Sequence, residues 1–413
     1  MKTHPLIKTL TTLRGNTRAC VYTEPLWGIP HNLYAPFVSV YMAALMLTDR
    51  QIGLIASVSM LFRAVAALFS GAVTDKLGRR RTTFIFDVLA WSIPCLLWAF
   101  SQNFWWFMIA AAFNGMCHVT EVSWSCLLVE DADQSKLVRI YSLIHLTGQI
   151  AVIFAPLSAL LVNNLSLIPA VRILYGFSFL SMTAKFIILY IFSDETEVGR
   201  TRKRETEGLS LIKILAGYGT VFRQIFISPN MRLAVIMSTA LGITSMVAGT
   251  FFALYATGEL LMPEHYLAYL PILRSGIIAV FLFVILPKLS RLGYKVPMLA
   301  GLIVYLISIA VLLTAPKENL LLLCVYIALE ASAFSLIFPR RDSLMVILVD
   351  AAERARILSI MTVITLVCSV PFGYLAGWMS EMDRRLPFLL CAGIFVLLFG
   401  VIAVCGRGVS EGE

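Results

Sequence analysis

Long apolar runs separated by short polar breaks dominate the chain. Twelve are legible, at 20–46, 50–72, 82–100, 104–128, 139–162, 168–192, 232–257, 265–287, 297–315, 320–349, 356–378 and 386–406. A helix rises about 1.5 Å per residue, so about 20 apolar residues cross the hydrocarbon core of a bilayer. Lipid satisfies no backbone hydrogen bond, which makes each run a helix; a barrel would need short alternating segments instead. The pattern therefore predicts an all-α membrane protein with twelve transmembrane helices. The first and tenth runs are overlong and carry polar residues, and Pro25, Pro30 and Pro36 predict kinks in the first.

Composition agrees. Of 413 residues, 59% are hydrophobic and 14% charged, against roughly 25% charged in a soluble chain. A soluble globule, a disordered chain, a collagen-like chain and a coiled coil are all excluded. The eight cysteines lie in apolar stretches without CxxC or His/Cys metal spacing. They read as small buried residues, with no disulfide framework and no metal. No cofactor motif is visible, and no P-loop, HExxH or GxSxG marks an enzyme.

The net charge of +9 suits cytoplasmic loops better than nucleic acid. Of the 33 Lys and Arg, 23 fall in the N-terminus, the alternate loops that follow it on one side, and the C-terminus. Five fall in the opposite loops (Arg50, Arg172, Lys317, Arg384 and Arg385), and five lie inside runs (Arg63, Lys185, Arg274, Arg340 and Arg341). The bias places both termini in the cytoplasm of a multi-pass plasma-membrane protein. Residues 1–19 carry four basic residues and no apolar core, so no cleavable signal peptide is expected.

The longest polar stretch, 193–231, divides the chain into an N-terminal six-helix half (1–192) and a C-terminal one (232–413). Its first part, Asp194–Glu207, is a mixed-charge linker. Its second has Leu209, Ile212, Ala216, Gly219, Phe222 and Phe226 at helical spacing, which predicts a helix lying on the inner membrane surface. The halves repeat. Lys76-Leu77-Gly78 with Arg80 is echoed by Arg291-Leu292-Gly293 with Lys295, and Glu130 with Arg139-Ile140 by Asp350 with Arg356-Ile357. The matches keep their order at an offset of about 215–220 residues, as in secondary transporters built from duplicated halves.

Between the second and third runs the chain reads Gly71-Ala72-Val73-Thr74-Asp75-Lys76-Leu77-Gly78-Arg79-Arg80-Arg81. Gly78 permits a tight turn between antiparallel helices. Asp75 is an anion near helix ends, where a helix N-terminus attracts it. The stretch resembles the signature loop of the major facilitator superfamily, G-x-x-x-D-[RK]-x-G-[RK]-[RK]. With twelve runs, a central linker and repeated halves, the resemblance covers nearly the whole chain. It implies two pseudo-symmetric six-helix halves, with runs 1, 4, 7 and 10 around a central cavity. It also implies a cytoplasmic latch between the halves, in which Asp75 meets the start of run 11 near Arg356. Arg79 then has Glu130 or Asp131 as partner, and Arg139 belongs to the repeated element. Two features depart from proton-coupled drug exporters: Ala111 stands where many members carry an arginine before Asn114-Gly115, and Ala155-Pro156-Leu157 lacks flanking glycines.

An ionisable residue at mid-membrane costs about 2.5–3.5 kcal/mol on insertion scales and marks a functional candidate. Glu24, Gly28, His31 and Asn32 share one helical face, as do Asn114, His118 and Glu121. His145 and Gln149 lie one turn apart, as do Ser59 and Arg63. In the second half Arg274, Glu330 and Arg341 lie within runs, and alignment of run ends sets Arg341 opposite Glu121. Arg63 and Arg274 either attract a substrate anion or form ion pairs with Glu24, Glu121 or Glu330. Lys185 is expected to snorkel toward the cytoplasm, and Asp87 to cap a helix or pair with the basic loop. Trp27, Tyr34, Trp124 and Tyr266 suit either stacking on substrate or packing.

The function expected is secondary transport of a small organic solute, an organic anion or polar metabolite, by a monomer coupled to protons. Glu121 would carry the proton, with Glu24 and Glu330 in reserve. Efflux of amphipathic drugs is the alternative within transport. A polytopic membrane enzyme or a non-transporting sensor is the alternative outside it.

Overall fold

The apolar runs are helical wherever the computed structural model describes them, which is over residues 5–133, 136–210, 227–285, 288, 295–347 and 354–405; no strand occurs among the described residues. The helices are α1 (Pro5–Thr12), α2 (Gly15–Thr23), α3 (Pro25–Tyr34), α4 (Val38–Ala44), α5 (Asp49–Leu77), α6 (Arg79–Asp87), α7 (Ile93–Phe100), α8 (Phe104–Gly115), α9 (Cys117–Val129), α10 (Leu137–Val152), α11 (Pro156–Leu165), α12 (Leu167–Phe192) and α13 (Glu197–Glu205). They continue with α14 (Pro229–Gly258), α15 (Leu270–Val280), α16 (Lys295–Thr314), α17 (Leu320–Ile347), α18 (Arg354–Met382) and α19 (Leu386–Cys405). Two compact units result: Met1–Ala35 with Val58–Gly217, and Pro36–Ser57 with Tyr218–Glu413.

Nine helical stretches among the described residues are long and apolar enough to cross a membrane, two of them made of α6 with α7 and of α10 with α11. The other three runs are built from shorter pieces. In the first, Pro25 opens α3 and a 3₁₀ turn at Ala35–Phe37 holds Pro36, while Pro30 sits inside α3. A proline lacks the N–H that its turn needs and crowds the preceding carbonyl, so a run with three prolines cannot stay one straight helix. The fourth run breaks at Met116, after Gly115. The eighth combines a 3₁₀ turn at Glu264–Ala268, α15 and a π-helical segment at Phe281–Ile285. The third contains a π-helical segment at Val88–Ser92, directly after Asp87.

The signature stretch is not a loop. Helix α5 runs on through Asp75 to Leu77, α6 starts at Arg79, and Gly78 alone joins them with φ +89°. In the linker, Thr196 caps α13 by accepting a hydrogen bond from the Gly199 N–H. The predicted surface helix between Leu209 and Phe226 falls almost wholly on 211–226, outside the described residues. Most described cysteines are buried or half-buried, but Cys368 is exposed.

The core of the first unit includes Leu127 and Leu128 of α9, Ile140 and Leu143 of α10, and Cys20 and Val21 of α2. In the second unit the first turns of α5 lie against α18 backbone to backbone. A Cβ added to Gly53 would overlap the Gly373 carbonyl oxygen and come 2.9 Å from Gly377 Cα. Ser57 Oγ donates to the Val370 carbonyl at 2.6 Å and accepts from the Tyr374 N–H at 2.8 Å. Asp49 accepts from Ser380 Oγ at 2.6 Å and from Arg384 Nε at 3.3 Å, while Arg384 Nη1 donates to the Leu254 carbonyl. Overpacked contacts of this closeness cost about 1–3 kcal/mol. Gly53→Val is therefore expected to lower the unfolding temperature of the detergent-purified protein. Gly176→Val, where the added carbon meets nothing within 4 Å, is expected to leave it unchanged; equal values for the two would refute the packing argument.

Candidate functional site

Close approach of α5 and α8 builds the first candidate site. Gly115 lies against the backbone of α5, where a Cβ would come 2.8 Å from the Ser59 carbonyl oxygen and 3.0 Å from the Arg63 nitrogen. Beyond the break at Met116, α9 carries Glu121 toward Arg63. Arg63 Nη2 meets Glu121 Oε1 at 2.6 Å, and His118 Nδ1 donates to Glu121 Oε2 at 2.8 Å. The Arg63 and Glu121 side chains keep 37% and 44% of their exposure, so the triad is reachable. Ala111 is buried and supplies nothing polar.

The second unit holds a counterpart. Arg274 of α15 makes a two-pronged pair with Glu330 of α17, Nε to Oε2 at 2.8 Å and Nη2 to Oε1 at 3.1 Å. Its guanidinium lies 4.6 Å from the Phe334 ring centre. The partners are 58 residues apart in the first unit and 56 in the second. Glu330 thus pairs with the arginine of its own unit at nearly the same spacing as Glu121 does in the first. Arg341 stacks on Phe338 at 5.0 Å. Of the two roles open to Arg63 and Arg274, the structure displays ion pairing for both.

Other candidates separate. Glu24 lies at the break between α2 and α3, and Lys185 Nζ of α12 reaches it at 2.9 Å. Lys185 does not snorkel: it is 5% exposed, with the Trp27 and Trp124 rings each 5.7 Å away. Asp87 is likewise buried, accepting from Thr120 Oγ1 at 2.7 Å rather than meeting the basic loop. His31 belongs to an aromatic cluster, stacked on Trp27 at 4.8 Å and edge-on to Trp91 and Tyr34. Tyr34 is buried against Tyr175, so packing is its role. Asn32 donates to the Gly28 carbonyl and Asn114 to the Ala90 carbonyl. His145 and Gln149 are exposed on α10.

The signature residues form a separate cluster at the junction of α5, α6, α9 and α13. Buried Arg79 bonds Asp75 Oδ1 through Nη1 at 2.8 Å and Glu130 through Nε and Nη2 at 3.1 Å. The Arg79 N–H donates to Glu195 Oε1 at 2.8 Å and the Arg80 N–H to Glu195 Oε2 at 3.3 Å. Thr196 Oγ1 donates to Glu130. A Cβ on Gly78 would overlap the Glu195 carboxylate, so this glycine serves both the positive φ and the approach of Glu195. Arg80 donates twice to the Tyr190 carbonyl and lies 4.2 Å from that ring's centre. Asp131 accepts from Asn16 Nδ2, and Asn16 Oδ1 accepts from the Asp194 N–H. Arg139 is exposed. Gly71 lies on α5 with open space beside it, and the Arg356 side chain is outside the described residues. Glu195 and Thr196 escape sequence inspection because the mixed-charge linker looks solvated; a Thr-x-x-Gly cap behind an acidic residue is the one local hint.

A sequence profile described as Major Facilitator Superfamily matches residues 28–360. YqjV of Bacillus subtilis, called an uncharacterized MFS-type transporter, is 25% identical over 148 residues, 34% of this chain and 35% of that protein. The chain's match thus spans about a third of that relative's length. The multidrug resistance protein MdtG of Yersinia enterocolitica is 24% identical over 301 residues, 70% of this chain and 68% of the relative. Among solved structures, a mutant of the nucleoside transporter NupG superposes with a TM-score of 0.77. That match covers 95% of this chain and 100% of that one at 16% identity, a likeness of fold.

Removing one partner of a buried ion pair costs about 3–5 kcal/mol, whereas a lost hydrogen bond to a charged group costs about 1.5–3. Glu130→Ala is therefore expected to lower the unfolding temperature more than Glu195→Ala, and both more than Arg139→Ala. A Glu130→Ala protein as stable as the wild type would remove Arg79 from the set of structural anchors.

Proposed function

The chain belongs to the major facilitator superfamily, and on that premise we propose that it is a secondary transporter carrying a small organic solute by alternating access of its two six-helix halves. The observation that carries this is the accessible Arg63–Glu121–His118 triad within otherwise apolar helices. A charged group in such a helix is retained at a cost, and one left reachable offers a solute something to bind.

The triad supports an anionic solute and a proton. A carboxylate or phosphate group that binds Arg63 displaces Glu121. The freed carboxylate, without its cation in a low-dielectric site, takes up a proton, with His118 beside it as the neighbouring exchange group. Solute and proton then bind together and leave together. Arg274 and Glu330 form the equivalent site in the other half, with Glu24 as a further candidate. The proton is the partner besides lipid and solute, and a monomer suffices. The protein sits in the plasma membrane with both termini cytoplasmic. Asp75, Arg79 and Glu130 form the part of the cytoplasmic gate that the first half contributes.

A second substrate class, amphipathic drugs, is favoured by the name of the MdtG relatives and by the half-buried aromatic cluster of Trp27, His31 and Trp91. A thermal-shift screen of the purified protein against organic anions and amphipathic cations separates the classes. Hits are then measured as flux in proteoliposomes. Transport, as opposed to sensing or catalysis, requires that a hit crosses the bilayer unchanged.

For an anion hit, Arg63→Ala is expected to weaken binding by about 10- to 100-fold, the equivalent of a lost charge-assisted bond of about 1.5–3 kcal/mol. Glu121→Gln is expected to abolish the pH dependence of uptake, and uptake by this variant with an unchanged pH profile would exclude Glu121 as proton carrier. Asp75→Asn is expected to insert normally and to transport slowly; full flux by it would exclude the gate role.

A further inference from the structure

The proposed coupling to protons holds Glu24 as a further candidate and leaves Lys185 and Asp87, which cluster with it, unused. Lys185, Glu24 and Asp87 meet inside the first unit. Lys185 and Asp87 are 5% and 6% exposed, and the Glu24 side chain keeps 14% of its exposure. The Lys185 ammonium is committed to Glu24 at 2.9 Å. Asp87 lies within its electrostatic reach, but the hydrogen bond that Asp87 receives comes from the neutral hydroxyl of Thr120, at 2.7 Å. The groups that act on Asp87 are Thr120 of α9, Lys185 of α12, Cys20 of α2 and Glu24 at the head of α3. Among these groups there is one cation for two carboxyls.

An isolated ionised carboxylate in such surroundings is far costlier than a neutral acid. The cluster is neutral only if one carboxyl holds a proton, and the carboxyl without the ammonium contact is Asp87. We propose that Asp87 is a proton-binding site, protonated while Lys185 is paired with Glu24, and that it exchanges its proton when Lys185 changes partner.

The exchange balances. In one state Lys185 is an ammonium, Glu24 a carboxylate and Asp87 a carboxylic acid. When the ammonium swings to Asp87, the Asp87 O–H bond breaks and its proton leaves. Glu24, the more exposed of the two carboxyls, forms an O–H bond with a proton taken up from water. Lys185 keeps its charge throughout, and the cluster holds one proton between two carboxyls in both states. The π-helical segment that begins at Val88, immediately after Asp87, places a local irregularity at the group that must exchange; such segments recur at functional sites. The proposal rests on the proton-coupled reading of the chain for its purpose, but the protonation itself is measurable without any solute.

The test is infrared spectroscopy of the full-length protein in liposomes at neutral pH, with the carbonyl stretch of protonated carboxyls identified by its shift in heavy water. The wild type is expected to show this band and Asp87→Asn to lack it. Because Asn replaces a group that is already neutral, Asp87→Asn is also expected to unfold at the wild-type temperature. Glu24→Gln frees Lys185 to pair with Asp87, so this variant is expected to lose the band as well. A wild type without the band, a band that survives in Asp87→Asn, or a large drop in the unfolding temperature of Asp87→Asn would overturn the assignment of the proton. A band that survives in Glu24→Gln would overturn the exchange. Loss of solute flux in any variant bears on the transport proposal alone.

Discussion

At three places a cation inside an apolar helix meets a carboxylate within hydrogen-bond reach, and this demand for local neutrality joins helices in both units. Lys185 finds Glu24, Arg63 finds Glu121 and Arg274 finds Glu330. Each pair joins two helices, so each decides which helical faces meet. Desolvation offsets most of the attraction in such a pair, whereas loss of one member leaves an uncompensated charge. The pairs therefore act chiefly on specificity of packing. Where a pair stays reachable, as at Arg63, the transport proposed above would use the same neutrality as a means of exchange, an incoming anion altering the partner's protonation.

The demand takes a different form where the chain meets water. Arg79 is buried at the turn between α5 and α6 and draws Asp75 and Glu130 to its guanidinium, while its backbone N–H is held by Glu195. The linker is thereby tied to the unit it follows. Thr196 completes the arrangement by capping α13 and donating to Glu130. The signature stretch thus has a structural function within its own half. Gly78 is required twice, by its positive φ and by the carboxylate laid over it.

Much of this was legible along the chain. The apolar runs, the prolines that break the first of them, and the signature residues all appear in sequence order. So do Arg63, Glu121, Arg274 and Glu330 as charges that need an explanation. Other features were not legible. Lys185 looked like a residue near enough to an end to reach water, yet it is surrounded by Trp27, Trp124 and Phe186. Glu195 looked like one of many solvated linker charges.

The sequence by itself determined the helical, membrane-spanning class, the repeated halves and the family, because hydropathy, helical period and a motif are properties of neighbouring residues. Tertiary structure alone decided which buried charges neutralise one another. Those partners lie 56 residues apart at Arg274 and Glu330 and 161 at Lys185 and Glu24. No local pattern encodes a contact between side chains on helices so far apart in the chain; only the packing of helix against helix, set by glycines such as Gly115 and by breaks such as that at Met116, brings them together.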